Sequence, residues 1–146
     1  MKVEKAISIL ALVSVIGIPA LAATIVGQVT IFTITCGLNT NISSINFGNL
    51  FAGQNSSVQV VNVFVGGNFS NASTFIRGTN WTSIVSSFPV QQTLWINVTE
   101  RPLTEFNQLI RTIFGPTGFD LGFKLMAPLG QLPTNYTQNI TLTVEC

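Results

Sequence analysis

The chain has 146 residues, 8% of them charged and 47% hydrophobic, with a formal net charge of +1 and no histidine. This length suits one domain with a real core, and the hydrophobicity excludes disorder. The near-neutral charge offers no basic surface for nucleic acid and no acidic face for cations, and the abundant Asn, Thr, Ser, Gln and Gly are the composition of secreted β-domains.

Residues 1–22 open with Lys2, Glu4 and Lys5, continue through an apolar run over residues 6–18 and Pro19, and close on Ala20-Leu21-Ala22. That is the three-part form of a secretory signal with a small-x-small cleavage site, which starts the mature chain at Ala23, or at Thr24 if the site slides by one. A retained membrane helix, or a type IV prepilin leader cut near Ala6, is the competing reading. A spanning helix needs about 20 apolar residues, and Pro19 with the Thr/Val-rich continuation opposes one. Secretion also gives the two cysteines, Cys36 and Cys146, a reason to pair. In the chain-entropy model a loop of that size is worth on the order of 4 to 5 kcal/mol.

Residues 23–35 form an arm with no charge and no proline, alternating Val29-Thr30-Ile31 and then Phe32-Thr33-Ile34-Thr35. β-Branched residues favour a strand, and a strand apolar on both registers wants cover on both faces. Something must receive it, either the chain's own sheet or that of a neighbouring copy. The residues expected to insert are Ile25, Val26, Val29, Ile31, Phe32 and Ile34.

Residues 36–146 form the domain proper. Ile45, Phe47, Leu50 and Phe51 are expected core contacts, with Gly48 and Gly53 at bends and a turn over residues 52–56. Residues 58–65 read as a strand apolar on both registers, and residues 72–77 as a shorter one. Residues 93–99 alternate, which predicts Leu94, Ile96 and Val98 inward and Thr93, Trp95, Asn97 and Thr99 outward. A helix is predicted from Pro102, because Leu103, Phe106, Leu109, Ile110, Ile113 and Phe114 recur at spacings of three and four before Gly115-Pro116. Residues 120–126 place Leu121, Phe123 and Leu125 on one side, and residues 138–146 place Ile140, Leu142 and Val144 inward. The fold class is therefore all-β, a jelly-roll or Ig-like β-sandwich with an N-terminal donor β-strand and one short helix.

Chemistry is hard to find. With no histidine, the usual general base and metal imidazole are missing. Glu100 and Glu105 flank the predicted helix start, where the dipole favours negative charge. Arg77, Arg101, Arg111 and Lys124 are scattered, no serine sits in a nucleophile elbow, and the cysteines lack zinc-ligand spacing. An enzyme, a catalytic residue, a bound metal, a cofactor and a small-molecule substrate are all counted out. The dense motif is Asn-x-Ser/Thr, at Asn41, Asn55, Asn68, Asn71, Asn80, Asn97, Asn135 and Asn139. Composition accounts for part of this density, and the excess points to a glycosylated exterior that solubilises a surface poor in charge.

Residues 45–53, Ile-Asn-Phe-Gly-Asn-Leu-Phe-Ala-Gly, are followed by a Val-rich strand and by Arg77-Gly78-Thr79-Asn80-Trp81-Thr82. After a leader and a β-arm, this pattern resembles the secreted β-sandwich subunits of donor-strand filaments: the archaeal bundling and thread pilins, with their bacterial relatives of the TasA and camelysin type. The resemblance implies a sandwich with an open groove that the N-terminal strand of the next subunit fills, in filaments that bundle in biofilms. Its implied partners are other copies of the chain joined head to tail at the cell surface, with neighbouring filaments or surfaces beside them. The metallopeptidase activity attached to the camelysin name finds no ligand set in a chain without histidine. Two further readings stand beside this one. The first is a type IV pilin-like subunit with its N-terminal helix retained. The second is a monomeric secreted adhesin or glycan-binding module whose arm completes its own sheet and whose Trp81 and Trp95 are exposed for binding.

Overall fold

The computed structural model describes the backbone of residues 22–31 and the whole of residues 36–146. In chain order the strands are β1 (Ala22–Ile31), β2 (Gly37–Thr40), β3 (Ser44–Phe51), β4 (Gln59–Gly66), β5 (Ala72–Gly78), β6 (Trp81–Thr82), β7 (Ser87–Phe88), β8 (Thr93–Ile96), β9 (Glu100–Pro102), β10 (Gln108–Ile113), β11 (Thr117–Leu125) and β12 (Asn135–Glu145). They form a β-sandwich. One sheet runs β10-β5-β12-β1-β3, with the β6–β7 hairpin attached to the start of β12, and the other runs β2-β4-β11-β8-β9.

Period-two alternation builds the core between the sheets. Val61, Val63 and Val65 of β4 are buried while Val60, Asn62 and Phe64 face out, and Leu121, Phe123 and Leu125 of β11 are fully buried as expected. Tyr136, Gln138, Ile140, Leu142 and Val144 give β12 its inner register. Phe47, Trp81, Phe88 and Tyr136 pack in series, edge-on, stacked and tilted in turn, with ring centroids 6.2, 5.5 and 4.9 Å apart. Aromatic pairs at such distances add to what burial alone contributes.

The structure corrects three expectations. The helix over residues 102–114 does not form. Pro102 ends β9, which pairs with β8, and residues 108–113 form β10 on the edge of β5. Among the described residues the one helical feature is a 3-10 turn over Val90–Gln92. Gln108 explains the difference, because its side chain accepts from Thr104 N at 3.1 Å and donates to Pro102 O at 3.0 Å, closing the segment as a loop. A helix this short is marginal by itself, and the open edge of β5 offers a ladder to Gln108, Leu109, Arg111, Thr112 and Ile113, with a register slip at Ile110.

The second correction is the register of β8. Thr93 and Trp95 are buried rather than outward, Leu94 is buried as expected, Ile96 is only half-buried and Val98 is 90% exposed. Inward placement of Thr93 is favourable because its hydroxyl is fully partnered there, accepting from Trp81 Nε1 and donating to Gln138 Oε1, both at 2.8 Å. The third is Phe51, which ends β3 on the exposed register, whereas Ile45, Phe47 and Leu50 are buried as expected.

Candidate functional site

The feature with functional potential is the slot that β1 occupies. β1 lies between β12 and β3, parallel to the first and antiparallel to the second. Among the described residues β3 has no other ladder partner, so β1 is what joins β3 to the sheet. Without β1 the edge groups of β3 and β12 would face each other unpaired, an arrangement that templates another strand.

The ladder defines what the slot expects. Ile25, Gly27, Val29 and Ile31 stand level with the buried Tyr136, Gln138, Ile140 and Leu142, and Gly27 also stands level with the buried Ile45. Thr24, Val26, Gln28 and Thr30 stand level with Asn135, Thr137, Asn139 and Thr141 on the outer face. Of the residues expected to insert, Ile25, Val29 and Ile31 thus fall on the core register and Val26 on the outer one. Phe32 and Ile34 lie outside the described residues. The pairing with β3 slips between Thr24 and Val26. There β3 carries Gly48 at φ +76°, its N–H donating to Asn46 Oδ1 at 2.8 Å, a conformation that glycine adopts without steric cost.

Sequence reasoning missed two parts of this site. Gln138 lies in the floor of the slot as a buried polar residue, its Nε2 donating to Thr79 O at 2.8 Å. Gly27, level with it, is a position with no side chain in an otherwise β-branched arm. An isolated glycine in a strand marks close approach, and that was the signal available.

Cys36 and Cys146 are bonded, with Cα atoms 6.5 Å apart. The bridge ties the residue that follows the arm to the end of β12. Cys36 is buried and Cys146 exposed.

The sequons spread over the surface. Asn41, Asn55, Asn68, Asn71, Asn80 and Asn139 are exposed, while Asn97 and Asn135 are half-buried. Two of them already use side-chain oxygens, Asn41 Oδ1 accepting from Asn62 N and Asn80 Oδ1 from Val90 N at 2.8 and 2.9 Å. Both leave the amide nitrogen free of those bonds. Asn97 instead donates through Nδ2 to Ile110 O at 3.4 Å.

Charged groups are dispersed. Glu100 lies 4.0 Å from Lys124 on the surface, an exposed pair of small energetic weight. Glu105 borders a shallow depression with Arg77, Thr79 and Thr141. Among the described residues no group of three His, Cys, Asp or Glu side chains is placed to hold a metal. Trp81 and Trp95 are both buried, Trp95 Nε1 donating to Gln108 Oε1 at 3.2 Å. No protein-family model matches the sequence, and no curated protein matches it significantly.

Proposed function

We propose that the protein is the structural subunit of an extracellular filament in which each copy's arm completes the sheet of a neighbour, serving adhesion or biofilm formation. One observation carries this reading. A single strand, β1, followed by residues 32–35, connects β3 to β12. Cleavage after Ala22 makes it the first strand of the mature chain, free to be exchanged, and exchange lets the arm of one copy supply main-chain hydrogen bonds to the sheet of another. The sequons clothe the outside of such a fibre.

A monomeric surface module is the competing reading, and it rests on β1 lying in its own sheet. The burial of Trp81 and Trp95 removes the aromatic surface on which glycan binding by that module would depend.

The deciding experiment compares the secreted chain with a version lacking residues 23–35. The full chain forms filaments visible by negative-stain microscopy. The truncated chain forms none, melts lower or aggregates, and is restored to the stability of the full domain by a synthetic peptide of residues 23–35. A truncated chain that stays monomeric with an unchanged melting temperature would sink the proposal.

A further inference from the structure

The polarity of β1 has a topological consequence. Because β1 is parallel to β12, its C-terminal residue Ile31 stands level with Leu142, near the end of β12 where Cys146 holds Cys36. The arm therefore leaves its slot at the same pole of the sandwich as its own domain begins. Five Cα steps separate Ile31 from Cys36, a reach of at most about 17 Å, roughly half the length of a ten-residue strand. A copy feeding its arm to a neighbour in this polarity would press its disulfide pole against the neighbour's disulfide pole. Mouth and exit would coincide in every copy, which favours closure as a dimer or a small ring over end-to-end growth.

A fibre of copies strung end to end needs mouth and exit at opposite poles. Resting on the filament reading above, we infer that in the filament the donated arm enters from the pole opposite the disulfide and runs antiparallel to β12 and parallel to β3, reversed from its course in its own sheet. The self-inserted arm is then a capped state that blocks assembly until it withdraws.

A second observation points to the same pole. The pairs Ala22–Phe51 and Thr24–Asn135 mark the end of the slot far from the disulfide. The loops there expose Phe51, Ile84, Val85, Leu129 and Leu132, the two most open being Ile84 at 97% and Leu129 at 81%. They belong to one pole. Gly53 N donates to Ala127 O at 2.7 Å, Tyr136 Oη donates to Leu132 O at 3.0 Å, and Ser86 Oγ is hydrogen-bonded to Tyr136 Oη. Large apolar groups gathered at one end of a domain mark a contact surface. The occupant is the disulfide pole of the next copy. There Phe114 is 80% exposed, on the turn between Ile113, paired with Ala72, and Thr117, paired with Val65.

Cysteine-pair crosslinking of the full secreted chain tests the polarity. In the self-inserted register Thr24 is level with Asn49, and Gln28 with Ser44, and none of these residues belongs to a sequon. We expect Thr24→Cys with Asn49→Cys to crosslink within the monomer, and Thr24→Cys with Ser44→Cys to give a covalent ladder between copies in filaments. Leu129→Asp should abolish filaments while leaving the monomer crosslink intact. Filaments whose ladder forms through the Thr24–Asn49 pair would overturn the reversal and leave the filament reading standing, as filaments unaffected by Leu129→Asp would overturn the docking pole. Monomers alone, with no ladder from either pair and no filaments, would overturn both readings together.

Discussion

Thr93 is the residue on which the interior turns. Its hydroxyl takes the indole proton of Trp81 and gives its own to Gln138, whose amide reaches Thr79 O, each contact 2.8 Å long. In a low-dielectric interior such a chain is favourable only while every member is satisfied. Replacing Thr93 by Val keeps the shape and orphans both the Trp81 N–H and the Gln138 carbonyl. The expected cost is about 1 to 3 kcal/mol for each group left unsatisfied, read by denaturant unfolding, with an unchanged midpoint counting against the account. The same residue shows why the register of β8 was illegible. Leu94, Ile96 and Val98 against Thr93, Trp95 and Asn97 look like an apolar face and a mixed one, and polarity by itself sends Thr93 outward. Only the partners contributed by β6 and β12 make inward placement favourable.

At the scale of elements, β1 and β10 behave oppositely. The β-branched arm reads as a strand and forms one over Ala22–Ile31, whereas the spacing of Leu103, Phe106, Ile110 and Ile113 fits a helix and residues 108–113 pair as a strand. The difference is tertiary: β5 has a free edge beside residues 108–113, and pairing with it outweighs a weak helical pattern. For the arm, the position to test is Gly27, level with both Gln138 and Ile45. Gly27→Val adds a branched side chain at a position level with buried residues of both neighbouring strands, and overpacking a filled interior costs about 1 to 3 kcal/mol. Weakened self-insertion should raise protease sensitivity of the arm and, by releasing it for exchange, raise filament yield, while near-UV circular dichroism of the domain stays native. A variant that assembles as readily as the wild type would show that the register at Gly27 does not matter.

The whole molecule is held at one pole by a covalent tie and at the other by loops. The Cys36–Cys146 bridge closes a separation of 110 residues, and loops near that size are stabilised by roughly 4 to 5 kcal/mol through restriction of the unfolded chain. Reduction should lower the unfolding free energy by about that amount and shift mobility on a non-reducing gel. If the melting temperature is indifferent to reductant, the bridge does not carry the load at this pole. In a fibre, force transmitted along the arm would pass through Cys36 into β12, so reduced filaments should also break or extend more easily under flow.

The sequence by itself determined that this is a β-rich domain with an uncharged strand-forming stretch ahead of it, a disulfide joining Cys36 to Cys146, and a surface dotted with sequons. Each of these is a local property, set by side-chain branching, alternation, turn residues or cysteine count. Tertiary structure decided which face of β8 is buried, that residues 108–113 pair with β5, and that Phe51 is exposed. It also decided that β1 lies between β3 and β12, parallel to β12. Those outcomes depend on which partners lie across the sandwich, because a polar group is buried only where it finds a hydrogen-bond partner. Pairing between strands far apart in the chain has no counterpart in any local stretch of it.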